Sequence, residues 1–309
     1  MLDPQARAYI DWMIQRGAPP VQSTTPHQAR QFFEERRALT QPDPPEVAEV
    51  RSLDADGVPL RLFRSAAADA GRPSPVLVYL HGGGWLVGNL DSHDVLCRQL
   101  ALSSQGAVVA VDYRLAPEHP FPAALDDSLT ALRWIRRHAA ALDLDGSRLA
   151  VGGDSAGGNL AAAACLALRA GGEPLPGFQL LVYPVTDLRQ GMPSYTANAQ
   201  GFGLTRDAMA HYRALYVPEA AQWTDWRASP LLADDHRGLP PALVLTAGFD
   251  PLRDEGRAYA DALSAAGVPT QFVCFERQIH GFFSMSRIID EASLAVALCG
   301  SALRRAWRL

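Results

Sequence analysis

The chain predicts an α/β protein, a mainly parallel central sheet with helices on both faces. Two observations carry the class. Apolar runs at Pro75–Leu80, Ala107–Asp112 and Phe178–Val182 are continuous rather than alternating, as in strands buried on both faces. Helical stretches separate these runs at the spacing of βα units. A third observation organises the rest. At Gly153-Asp-Ser-Ala-Gly157 a glycine-pinched turn joins a short apolar strand to an alanine-rich helix.

Residues 1–45 form a helical prelude. Asp3-Pro4 is an N-cap followed by proline at the first helical position, opening a helix that can run to Gly17. Thr25-Pro-His-Gln28 repeats the device as a capping box, for a helix to about Leu39, and Gln41-Pro-Asp-Pro-Pro45 breaks the chain. Val47–Leu53 and Leu60–Arg64 flank the turn Asp54–Gly57 as a hairpin. Strand Pro75–Leu80 runs into His81-Gly-Gly-Gly-Trp85. A helix over 92–104, strand Ala107–Asp112 and a helix over Ala123–His138 follow. The turn strand lies near Leu149–Gly152. Phe178–Val182, Ala242–Thr246 and Thr270–Phe275 complete the alternation, with helices near 254–266 and 281–305. One segment breaks it: Pro184 to Arg227 holds no good strand but many aromatics, from Tyr195 to Trp226. An insertion after a core strand, at the carboxyl edge where ligands bind, is where a lid would sit. The expected division is a core of residues 46–184 and 228–309 under a helical cap of 1–45 and 185–227.

Composition excludes several classes. Of 309 residues, 48% are hydrophobic and 20% charged, ordinary for a globular protein, and the net charge of −5 argues against a nucleic-acid partner or an anionic membrane. No apolar run approaches the roughly 20 residues of a membrane span. Met1-Leu-Asp-Pro-Gln-Ala-Arg has no secretion-signal pattern, so a cytoplasmic location is expected. The four cysteines are far apart and read as free thiols, with no metal cluster.

Ser155 sits at the centre of a G-x-S-x-G turn with the required strand before it and helix after it. Such a turn lifts the hydroxyl clear of the sheet and leaves the Ala156 N–H at a helix N-terminus, where it can stabilise an oxyanion. A serine merely capping a helix would look the same locally. The partners separate the two readings. A nucleophilic serine needs a base and a group that orients it, in the chain order Ser, acid, His. Asp250 lies just past the carboxyl end of the strand from Ala242, although Asp250-Pro251 also reads as a helix cap, and Asp254 and Glu255 are rival acids. Of eight histidines only His280 follows Asp250. Three successive glycines at 82–84 leave backbone N–H groups unshielded to complete an oxyanion hole. Neither phosphate-loop spacing is present there. His81 reads as a brace of that loop.

With these residues in hand, His81-Gly-Gly-Gly-Trp, Tyr113-Arg-Leu-Ala-Pro-Glu, Gly153-Asp-Ser-Ala-Gly-Gly-Asn, Asp250-Pro-Leu-Arg-Asp-Glu-Gly and Ile279-His-Gly-Phe resemble the hormone-sensitive-lipase-like branch of the α/β-hydrolases, among its bacterial carboxylesterases. The resemblance spans about residues 45–305. It implies the α/β-hydrolase fold and a cofactor-free esterase of short- to medium-chain acyl esters. Ser155, Asp250 and His280 would be its triad, and Gly83, Gly84 and Ala156 its oxyanion amides. Trp85, Phe202, Leu204 and Phe282 are the expected pocket residues. The partner is a small-molecule ester, with no nucleic acid and no membrane, and a homodimer is compatible with the chain. Hydrolysis of an amide, carbamate or lactone stays open, because all proceed through the same tetrahedral intermediate. A non-catalytic receptor of the same fold is disfavoured by the retained His280.

Overall fold

The computed structural model describes residues 1–66 and 71–309. Among them, helices α1 (Pro4–Gln15) and α2 (Pro26–Thr40) precede strands β1 (Glu49–Ala55), β2 (Val58–Arg64) and β3 (Ser74–Leu80). Then come α3 (Asp94–Ser104), β4 (Ala107–Val111), α4 (Ala123–His138), β5 (Leu144–Asp154), α5 (Ala156–Ala170) and β6 (Phe178–Val182). Helices α6 (Ser194–Ala197) and α7 (Arg206–Tyr216) fill the insertion, before β7 (Ala242–Phe249), α8 (Arg253–Ala265), β8 (Thr270–Ile279) and α9 (Asp290–Trp307). The eight strands form one sheet in the order β1-β2-β4-β3-β5-β6-β7-β8. It is parallel from β4 to β8, with the β1–β2 hairpin added antiparallel at one edge.

Side chains alternate across the sheet with the period of two that a strand imposes. Val76, Val78 and Leu80 face the core under α4, α5 and α8. Leu77 and Tyr79 face the core under α3 and α9, to which Ala6, Tyr9 and Ile10 of α1 also belong. The two cores explain why the parallel strands read as unbroken apolar runs. The caps are as expected: the Asp3 carboxylate accepts from the N–H groups of Gln5 and Ala6, and Thr25 with Gln28 forms a complete capping box. No described helix is long and apolar enough to cross a membrane.

The structure departs from the sequence reading in two places. The last helix begins at Asp290, not 281: Gly281 adopts φ 82°, a single 3₁₀ turn follows, and Phe282 and Phe283 are buried as anchors. The prelude also divides. Asp3 N–H donates to the Arg277 carbonyl (2.9 Å) and Gln5 accepts from Asp290 N–H (2.9 Å), which docks α1 at the β8–α9 corner. Helix α2 instead lies over the loop after β3. Ala29 and Phe33 pack with Leu86, Val87 and, from α7, Tyr212 and Leu215. Periodicity shows that a helix has an apolar face but not which surface that face meets.

Candidate active site

The turn between β5 and α5 holds Ser155 at φ 56° and ψ −117°. That conformation costs a non-glycine residue about 1–3 kcal/mol, so the surroundings must impose it. They do so through the backbone: Ser155 N–H donates to Val182 O (2.8 Å), and its carbonyl accepts from Asn159 N–H (3.0 Å) and Val185 N–H (3.3 Å). A Cβ on either Gly153 or Gly157 would overlap the Leu80 carbonyl, so the turn can press this closely on β3 only with glycines there.

Ser155, His280 and Asp250 come together from three separate stretches. His280 Nδ1 donates to Asp250 Oδ2 at 2.7 Å, and His280 Nε2 lies 2.9 Å from Ser155 Oγ. Asp250 is fully buried, and its other oxygen accepts from Leu252 N–H at 2.8 Å. A carboxylate offers only acceptors, so the imidazole proton sits on Nδ1. The Nε2 lone pair then faces the serine, whose hydroxyl donates to it. The rival acids are engaged elsewhere. Asp254 accepts from Ser194 N–H (2.8 Å) and Arg253 (2.8 Å), and Glu255 from Thr186 N–H (2.7 Å). Burial raises the Glu255 carboxyl well above its ordinary value.

Beyond the end of β3, Gly83 and Gly84 take φ 123° and 60°, in the left-handed half of the map. Among the described residues, no acceptor within the protein takes the N–H of Gly83, Gly84 or Ala156. The loop is braced around them. Tyr113 Oη donates to the His81 carbonyl (2.6 Å), His81 Nδ1 donates to the Gly82 carbonyl (2.8 Å), and the His81 and Tyr113 rings stack at 4.1 Å. Burial, reinforced by neighbouring His93, lowers the His81 pKa to about 3, so His81 is a neutral brace whose single ring proton is committed to the Gly82 carbonyl.

The expected pocket residues divide. Trp85 is fully buried, stacked on Tyr216 at 4.2 Å. Phe282 is fully buried against Tyr183 and Phe275, in the core under α3 and α9. Neither presents surface to a ligand-sized space. Phe202 and Leu204 are half-buried, with Phe202 4.9 Å from Phe249. Three contacts gave no signal in the sequence. The Tyr212 ring of α7 lies against Gly84, where a Cβ would strike it. Arg30 of α2 donates to the carbonyls of Leu86 (3.0 Å) and Ala116 (3.1 Å) while pairing with Glu118. Asn198 donates to the Asp250 carbonyl at 3.0 Å. Segments distant in sequence meet here, and no spacing rule foretells them. Among the described residues no group of three or more His, Cys, Asp or Glu side chains converges as a metal site would.

The model for the alpha/beta hydrolase fold family matches residues 77–284. Carboxylesterase NlhH of Mycobacterium tuberculosis is 44% identical over 265 residues, 84% of this chain and 82% of the relative. Ethyl acetate hydrolase of Pseudomonas putida is 39% identical over 315 residues, 98% of this chain and 99% of the relative. The solved structure of an ester-hydrolase from the metagenome of Lake Arreo superposes with a TM-score of 0.96 at 44% identity, covering 100% of both chains. A thermostable esterase from Pseudomonas putida superposes with a TM-score of 0.93 at 35% identity, covering 100% of this chain and 98% of that one.

Proposed function

Because this chain belongs to the α/β-hydrolase fold family, in its hormone-sensitive-lipase-like carboxylesterase branch, we propose that it is a serine carboxylesterase in which Ser155, His280 and Asp250 act as the triad. The observation that carries the assignment is the continuous relay from Asp250 through His280 to Ser155, at 2.7 and 2.9 Å. His280 Nε2 takes the Ser155 proton as Oγ adds to the ester carbonyl. The carbonyl oxygen becomes an oxyanion facing the N–H groups of Gly83, Gly84 and Ala156. No acceptor among the described residues takes these groups, so they are free to meet the oxyanion as charge develops. The intermediate collapses as His280 returns the proton to the leaving alcohol, leaving an acyl group on Ser155. Water then adds to the acyl-enzyme by the same route. Its proton passes through His280 to Oγ, and the carboxylic acid is released.

Small-molecule esters of short to medium acyl length are the substrates. Residues 1–45 and 185–227 act as the cap over a core of 46–184 and 228–309. The contacts of α2 and α7 with the glycine loop support that role for the cap. A walled apolar pocket rewards each added methylene by about 0.8 kcal/mol until it is full. Across p-nitrophenyl esters of increasing length, kcat/KM therefore rises to a maximum at about four to eight carbons and then falls. A profile still climbing at long chains, with activation at an oil–water interface, would point to a lipase. Ser155→Ala abolishes turnover, and a phosphonylating reagent adds its mass at Ser155. Labelling of another serine would overturn the assignment.

A further inference from the structure

The glycine loop has no side chains of its own at 82–84 with which to hold its amides in place. Its internal bonds, from Leu86 N–H and Val87 N–H to the Gly83 carbonyl (both 3.1 Å), shape the loop but do not place it relative to Ser155. One side chain connects the two. Asp154, the residue before the nucleophile, is 6% exposed, and its Oδ1 accepts from Gly82 N–H at 3.0 Å and from Tyr79 Oη at 2.8 Å. His93 Nε2, at the start of α3, lies 3.4 Å from the same oxygen, and its Nδ1 lies 2.8 Å from Ser92 Oγ. Contact with Gly82 is close enough that a Cβ there would overlap the Asp154 carboxylate. Burial alone would raise the Asp154 carboxyl; His93 and the Tyr79 hydroxyl outweigh it and hold the group below its ordinary value. The hydrogen bond to Gly82 is thereby charge-assisted, about twice the strength of a neutral one.

We propose that Asp154 is a positioning residue for ester hydrolysis: it locks the Gly82 amide to the nucleophile's own strand end and so fixes where the Gly83 and Gly84 N–H groups stand relative to Ser155 and Ala156. The inference rests on the serine esterase reading above. Asp154 touches no reacting atom. It acts by fixing the peptide plane at Gly82, from which a chain with glycine freedom would otherwise swing. Both walls of the oxyanion site then move with one residue, because the elbow that carries Ser155 also carries the tether. Tyr79 reaches the carboxylate from β3, and His93 from α3.

The test compares wild type with Asp154→Asn, which keeps the shape and removes the charge. Three quantities are read with p-nitrophenyl acetate and a short-chain trifluoromethyl ketone: kcat, KM and the ketone's inhibition constant. The ketone adds Ser155 Oγ to its carbonyl and places an oxyanion where the reaction does. Loss of one oxyanion donor costs about 100- to 1,000-fold and a misplacement somewhat less, so kcat should fall about 10- to 100-fold. Ketone affinity falls by the same factor, while KM stays within about threefold and the melting transition, though lowered, stays cooperative. Unchanged kcat in the folded variant, or a fall in kcat without a fall in ketone affinity, overturns the proposal. If Asp154→Asn does not fold, Tyr79→Phe, which leaves the carboxylate and removes one of its anchors, must show the parallel loss in smaller measure; its absence is equally fatal. A wild-type protein that hydrolyses no ester would overturn the esterase reading itself, an outcome distinct from these.

Discussion

Replacing Asp250 by asparagine tests the relay at the point where structure, more than motif, makes a quantitative statement. The two carboxylate oxygens face two donors, Leu252 N–H at 2.8 Å and His280 Nδ1–H at 2.7 Å. An asparagine has one acceptor oxygen and one donor NH₂ and cannot serve both. The backbone N–H of Leu252 is fixed, so the amide oxygen turns to it and the NH₂ faces His280. Nδ1 must then accept, which moves the imidazole proton to Nε2. With a proton on Nε2, 2.9 Å from Ser155 Oγ, the ring cannot take the serine proton. The expected loss in kcat is about 10³- to 10⁴-fold, the magnitude a wrong tautomer costs in a serine triad. That is about 4–5.5 kcal/mol of barrier. KM should change little, since the ground-state ester contacts neither nitrogen. Steady-state hydrolysis of p-nitrophenyl acetate measures both, with a melting curve to establish that the variant is folded. A loss under tenfold in folded Asp250→Asn would refute the tautomer argument. A greater loss in Asp254→Asn or Glu255→Gln would move the acid to another residue.

Three further outcomes follow from the geometry. Ser155→Gly is inactive but more stable: it releases a backbone held at φ 56°, worth about 1–3 kcal/mol, less the roughly 0.5–1 kcal/mol entropic cost of glycine, and a rise of a few degrees in melting temperature checks it. Glu255 keeps its proton in the folded state at pH values where the unfolded chain has released it. Folding stability therefore falls as pH rises above the ordinary carboxyl value of about 4.3. Glu255→Gln should remove that slope in denaturant titrations from pH 5 to 9 while leaving kcat near wild type; an unchanged slope would show that the group is ionised when folded. Deleting residues 1–40 strips α2 from Leu86 and Val87, and should damage activity and alter the acyl-length profile more than it damages the βα core. A truncated protein with the full-length profile would remove the prelude from the cap.

Much of this protein was legible in its sequence because the decisive signals are local. The strands of the parallel sheet announce themselves as continuous apolar runs, since each is covered on both faces. The turn at 153–157 requires glycines because the Leu80 carbonyl lies where a Cβ would be, a constraint that leaves its mark on the residues themselves. Chain order and a single histidine after Asp250 were enough to nominate His280. Only tertiary structure could say that Asp254 and Glu255 are occupied by the 186–194 segment, or that Trp85 and Phe282 are sealed within the core rather than lining a pocket. It alone separates α1, docked at the β8–α9 corner, from α2, laid over the glycine loop. Asp154 makes the same point from inside a motif. The pentapeptide treats its position as free, yet its carboxylate meets Gly82, Tyr79 and His93, residues 61 to 75 positions away, and such contacts depend on how strands and loops stack rather than on any spacing along the chain.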